Sequence, residues 1–400
     1  MGKRLRCFVC ILSLAAVAVL LSCSTSGSSS TNPGTGALFL ATQGDSSLSS
    51  FSIDLSSGLL TSTGKAAATG DTPSAMILTP DGATIFLVNS GGGSSGGCGS
   101  AGASCITAYT VNTDGTVSAA SGNTTVAGNN PRGMAMDSGG KFLFVADQGT
   151  QPFSGSPIGV PGSVLVFSVS GTTLTPVAQP AGLIFGSNPV GVAVTPDGKY
   201  VYVANQVDGT VSAFSVDGTG VLTALPNSPY TVGTTPTGLA VTANGNFLYI
   251  ANQGSNNISA FTVCDNASPS CVVPDGSLTA VLDSPFPAGT APVAILEDPS
   301  ATFLYVADKG SNQISQYKIS TGTGALTPLS PTSVSTGTNP VWIAATGGST
   351  KNSVTTNFVY AANIGSSSIS IFTYDSTAGT LTVDGSPLVV GGQPAAIVVK

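Results

Sequence analysis

Residues 188–216 read NPVGVAVTPDGKYVYVANQVDGTVSAFSV, three short strands in succession. In 190–195 large and small residues alternate, so Val192 and Val194 share one side while Gly191 and Ala193 share the other. Pro196-Asp197-Gly198 is a turn: proline presets φ, aspartate bonds the local backbone, and glycine accepts the awkward dihedral. Residues 200–204 are β-branched and aromatic, 205–209 turn again, and 210–216 form a third strand, with a weaker fourth near 221–225. Four strands cannot bury both of their faces alone, so copies must stack against one another.

Two signatures of this module recur seven times each. A proline followed by a small-and-aliphatic strand stands at Pro73, Pro131, Pro189, Pro236, Pro292, Pro340 and Pro394. An aromatic-aliphatic strand ending in Ala-Asn or a variant occupies 37–42, 85–90, 142–147, 200–205, 247–252, 303–308 and 358–363. The series are out of phase at the ends: the chain starts on a second strand and finishes on a first strand, 394–399. That offset lets the C-terminal strand complete the N-terminal sheet and leaves no open edge. The expectation is an all-β, closed seven-bladed β-propeller of four-stranded antiparallel blades. First strands crowd the axis, which accounts for their Gly and Ala.

Composition agrees: 51 glycines and 25 prolines punctuate the chain, and no amphipathic helical pattern follows the N-terminus. Only 7% of residues are charged, against about a quarter in ordinary globular chains. With a net charge of −7 and no clustered Lys or Arg, nucleic acid is not an expected partner.

The N-terminus reads as an address. Lys3, Arg4 and Arg6 precede an apolar run over 8–21, short of the roughly 20 residues a membrane span needs. Leu20-Leu21-Ser22-Cys23 resembles a bacterial lipobox. The implied organisation is a signal peptide over 1–22, a flexible Ser/Gly/Thr tether over 23–35 from a lipidated Cys23, and the propeller over 36–400. The protein is expected to be exported, in the periplasm or on the cell surface, touching membrane through that anchor and otherwise monomeric. Two short-loop disulfides, Cys98–Cys105 and Cys264–Cys271, suit an oxidising compartment. A four-thiolate metal site is the alternative, but the pairs lie in well-separated repeats, so neither metal nor cofactor is expected.

Tyr202-Val-Ala-Asn205, Tyr249-Ile-Ala-Asn252 and Tyr305-Val-Ala-Asp308 resemble the YVTN-type propeller repeat. Region 36–400 is similar to the lactonase family typified by 6-phosphogluconolactonase, which implies a seven-bladed propeller. The resemblance also implies a Pro-Arg-His signature and an Asn-Glu at the end of the following strand. The matching positions here are Pro131-Arg132-Gly133 and Asp147-Gln148, and the chain holds no histidine and a single glutamate, Glu297.

In a four-stranded meander, the loops entering the first strand and those joining the second and third share a face. That face collects the insertions 89–104 and 148–162, Arg132, Trp342, and the strand ends Asp147, Asn205, Asn252 and Asp308, with Gln148 and Lys309 beside them. The Asn/Asp series has an ordinary reading as turn residues bonding their own backbone. Trp342 is either a ligand wall or a filling for the channel. Arg132 suits a carboxylate or phosphate, or pairs with Asp147. The expected role is a non-catalytic binding or scaffold protein whose face takes a protein, a glycan or a small anionic ligand. The alternative is a divergent lactone hydrolase, a carboxylic ester hydrolase using Arg132 and Asp147. Gly92-Gly93-Ser94-Ser95-Gly96 matches a nucleophile-elbow pattern but has no histidine to activate Ser94.

Overall fold

The outer hairpins of several blades are clamped to the blade before, and the residues that do this are aromatics that define the repeat. In the computed structural model, which describes residues 35–91, 104–149, 162–181, 183, 185–264, 271, 274–298, 300–346, 349–351 and 354–400, second strands such as Tyr200–Asn205, Phe247–Asn252 and Phe303–Asp308 are buried along their whole length. The Tyr202 hydroxyl donates to the Gly276 carbonyl at 2.8 Å, Tyr249 to Gly324 at 2.9 Å, and Tyr360 to Gly58 at 3.0 Å. Each of those glycines turns the next blade's outer hairpin with positive φ, and a Cβ there would lie under 3.0 Å from the aromatic ring two residues before the tyrosine. A side chain on the turn would push the hairpin off its neighbour.

Seven antiparallel sheets form the ring, each read outward from an inner strand. The inner strands are Pro394–Val399 in blade 1, then Pro73–Leu78, Pro131–Met136, Pro189–Val194, Pro236–Val241, Pro292–Glu297 and Pro340–Ala345 in blades 2 to 7. Blade 1 closes the ring as expected. Its inner strand comes from the C-terminus and pairs antiparallel with Thr35–Thr42, in the register Leu38↔Val399, Leu40↔Ile397. The apolar clusters lie between successive blades: Tyr202, Ala213, Leu248 and Ile250 pack together across blades 4 and 5.

A second repeated lock involves the Asn that ends the second strand in blades 4, 5 and 7, and it differs from the local turn expected. The Asn205 amide donates to Thr210 and Ser212 hydroxyls on the third strand at 3.0 and 2.9 Å, and Asn252 and Asn363 donate to Ser259 and Ser370. These side chains bond across to the neighbouring strand because they point into the blade, where no water reaches them. In six of the seven blades a glycine lies over this position, three residues before the blade proline: Gly70, Gly128, Gly186, Gly233, Gly289 and Gly337 all approach so closely that a Cβ would fall under 3.0 Å from the Asn or Asp side chain.

Cys264 and Cys271 form the expected disulfide. Cys105 is disulfide-bonded, while its expected partner Cys98, the leader and tether over 1–34 and most of the two insertions lie outside the described residues. Thr35, expected at the end of the tether, opens a strand. Among the described residues no group of three His, Cys, Asp or Glu could hold a metal ion.

Candidate functional site

A β-bulge places the residue after each blade proline at the channel mouth. The inner-strand register jumps between Pro131 and Gly133, Pro189 and Gly191, Pro292 and Ala294, and Pro340 and Trp342. The skipped residue leaves the ladder, and a bulge of this kind re-aims its side chain. Arg132, Val190, Val293 and Val341 reach the mouth in this way.

The next position decides the shape of the channel. Gly133, Gly191 and Gly238 lie so close to the inner strand of the following blade that a Cβ would fall under 3.0 Å from its backbone carbonyl. Blade 7 has Trp342 there instead. Its half-buried indole packs on the apolar clusters of blades 1 and 2, those holding Met76, Leu38 and Ala75. Trp342 therefore fills one side of the channel and walls the space that remains. That space, about 270 Å³, is lined by blades 3 to 7, with Arg132 and Val190 on one side, Leu239 and Ile295 across, and Trp342 closing it.

Arg132 and Val190 also line a second, adjoining groove of about 430 Å³ between blades 3 and 4, with Gln148, Asn188, Gln206 and Val207. Here the amides are oriented. Gln148 Oε1 accepts from Arg132 Nε at 3.0 Å and from Asn130 Nδ2 at 2.8 Å. In the next blade Gln206 Oε1 accepts from Asn188 Nδ2 at 2.8 Å. Among the described residues no carboxylate lies within 4.0 Å of the Arg132 guanidinium, the ion pair present being Lys199–Asp197. Burial lowers the Arg132 pKa, but arginine starts so high that the group stays cationic.

Asp147 does not pair with Arg132. Its carboxylate, 3% exposed, accepts from the backbone N–H groups of Asn129, Asn130 and Gly149 and lies beneath the rim. Asn205, Asn252 and Asp308 are fully buried in their blades, and Lys309 lines neither space. Of the residues expected at this face, Arg132, Gln148 and Trp342 are brought together. Gln206, Asn188 and Asn130 join them unforeseen, although one signal was present: the pattern of Asn before the blade proline and Gln after the second strand occurs in blades 3 and 4.

Chemically, the two spaces offer a cation and amide donors beside an apolar hollow. Among the described residues their linings contain no carboxylate, cysteine, histidine or lysine, so none of these side chains can serve as a general base near neutral pH.

A family model described as "Lactonase, 7-bladed beta-propeller" matches residues 72–154, 163–270 and 273–399. No curated protein matches the sequence. Among solved structures, the periplasmic gluconolactonase PpgL of Pseudomonas aeruginosa superposes with a TM-score of 0.70 at 22% identity, covering 92% of this chain and 99% of that one. A Bacteroides fragilis protein named as a candidate 6-phosphogluconolactonase gives 0.70 at 20% identity over 93% and 100%. A Lactobacillus plantarum protein gives 0.68 at 19% over 92% and 99%. At such identities the superpositions speak for the fold alone.

Proposed function

The chain belongs to the seven-bladed β-propeller lactonase family, and from that premise we propose that it acts as a non-catalytic binding protein whose ligand, a small anion, seats on Arg132 at the channel mouth. One observation carries this reading: among the described residues, no neutralising carboxylate lies within reach of the guanidinium and none of the side chains lining the spaces it faces is a base. A carboxylate that could assist water in a lactone hydrolase exists in Asp147, but backbone N–H groups occupy it below the rim. An anion displacing water from Arg132 gains a charge-assisted bond at a site where the protein supplies no competing charge.

Two measurements test the reading together. Purified protein is expected to leave 6-phosphogluconolactone at its background rate. In a thermal-shift panel of small phosphates, sulfonates and carboxylates, at least one anion raises the melting midpoint, and Arg132→Ala abolishes that shift. Turnover that vanishes in Arg132→Ala overturns the non-catalytic reading in favour of hydrolysis.

The same reading places the propeller outside the cytoplasm, tethered by acylated Cys23. The formed Cys264–Cys271 bond supports an oxidising compartment. Metabolic labelling with a fatty acid is expected to mark the wild type and not Cys23→Ser; equal labelling of both would remove the anchor.

A further inference from the structure

We infer that the ligand is a carboxylate carrying an apolar, ring-sized body, with the carboxylate in the groove between blades 3 and 4 and the body in the channel hollow against Trp342. This rests on the binding reading above and narrows it to a ligand class.

The groove is faced with donors. The oxygens of both glutamines there already accept a hydrogen bond from a neighbour: Gln148 Oε1 from Asn130 and Arg132, Gln206 Oε1 from Asn188. Among the described residues neither of the two glutamine nitrogens donates a hydrogen bond, which leaves both available to an incoming acceptor. Beside the guanidinium, the wall offers amide N–H groups and a positive charge. The nearby acid of the blade 4 turn, Asp208, accepts from the Ser187 N–H and does not line the groove. Such a surface suits a planar acceptor pair with one negative charge.

The position after Asp147 sets the charge. A glutamate at 148 would hold its carboxylate where Gln148 Oε1 receives Arg132 Nε, and the arginine would be neutralised from within. Glutamine keeps the geometry and leaves the positive charge for an incoming group.

The hollow beyond carries fewer polar side chains, although backbone groups make part of its surface polar. Arg132, Thr237 and the indole nitrogen of Trp342 are the polar side-chain groups of its lining; Val190, Leu239 and Ile295 represent the rest. Thr237 already donates to the carbonyls of Ala251 and Pro292. A polyhydroxylated acid entering there would leave hydroxyl groups short of side-chain partners, whereas a hydrocarbon ring loses nothing on leaving water. Arg132 and Val190 line both spaces, so one molecule can span them.

Trp342, the single tryptophan of the sequence, provides the readout, since its emission reports occupation of the hollow. Cyclohexanecarboxylate, cyclohexanecarboxamide and gluconate are titrated into the full-length protein. The carboxylate is expected to shift the emission saturably and to bind at least tenfold tighter than the carboxamide or gluconate. In Gln148→Glu, and separately in Gln206→Glu, that preference over the carboxamide falls at least threefold, with an unchanged melting midpoint showing that the fold is intact. Equal binding of carboxylate and carboxamide by the wild type overturns the groove assignment. Gluconate binding as tightly as cyclohexanecarboxylate overturns the apolar body while leaving anion binding at Arg132 in place. If an anion stabilises the protein through Arg132 but none of the three probes shifts the Trp342 emission, the proposed class is wrong and the binding reading survives.

Discussion

Asp308 stands in blade 6 where blades 4, 5 and 7 carry Asn205, Asn252 and Asn363, and the one-atom difference has a consequence for stability. All four are fully buried. The asparagines donate to the third-strand serine, while Asp308 must accept from Ser315, at 2.5 Å, with a long contact from Gln313 and its Oδ1 unpartnered. Burial pushes its pKa up to about 6, against the partial relief of those bonds. A carboxyl whose folded pKa lies above its unfolded value is held protonated by the fold. The stability it contributes is therefore complete below about pH 4 and falls away as pH rises through 6, by at most about 3 kcal/mol. Glu297, half-buried between blades 5 and 6 with its pKa raised to about 7 chiefly by desolvation, acts with the same sign at slightly higher pH. Asp308→Asn is expected to raise the melting midpoint by several degrees at pH 8 and to change it little at pH 4. Denaturation followed by circular dichroism at the two values checks this, and equal shifts at both would show that the buried charge is not the cause.

At the scale of elements, the hairpin turn joining the third and outer strands matters more than its exposed place suggests. Gly324 has φ +75° and lies against the Phe247 ring, and its carbonyl takes the Tyr249 hydroxyl at 2.9 Å. Gly324→Ala both strains the backbone and forces the hairpin off the aromatic, so a loss of about 2–4 kcal/mol in urea denaturation is expected. Tyr249→Phe removes the hydroxyl alone and is expected to cost about 1–2 kcal/mol, having no strain component. Should the alanine variant prove as stable as the wild type, the hairpin is not a clamp. The same logic explains why the aromatic-aliphatic second strand was legible before any coordinates: it is buried on both faces in every blade and so permits little but Phe, Tyr, Leu, Ile, Val and Ala. The Asn and Asp ending it misled for a complementary reason. Their preference for turns is a property of the isolated chain, and whether such a side chain bonds its own backbone or the next strand depends on what lies over it, here the glycine of the neighbouring loop.

For the whole molecule, ring closure was readable from the mismatch between seven first strands and seven second strands that begin out of phase, because a strand lacking a partner at each end of the chain has one low-energy remedy. The inner-strand Leu40↔Ile397 pairing is that remedy. The candidate site was legible only in part. Arg132 and Trp342 stood out as departures from the blade consensus, since periodic packing explains neither. Gln206 and Asn188 did not, because an amide in a loop carries no signal until its orientation is known. By itself the sequence determined the class of fold, the number of blades and the mode of closure, for these follow from periodicity and from burial that every repeat must satisfy locally. Only the tertiary structure decided that Trp342 fills the channel on the side of blades 1 and 2, that Asp147 is bound beneath the rim and unavailable to Arg132, and that two glutamine oxygens are held by asparagine side chains. Those are relations between residues far apart in the chain, set by bulges and by neighbours in other blades.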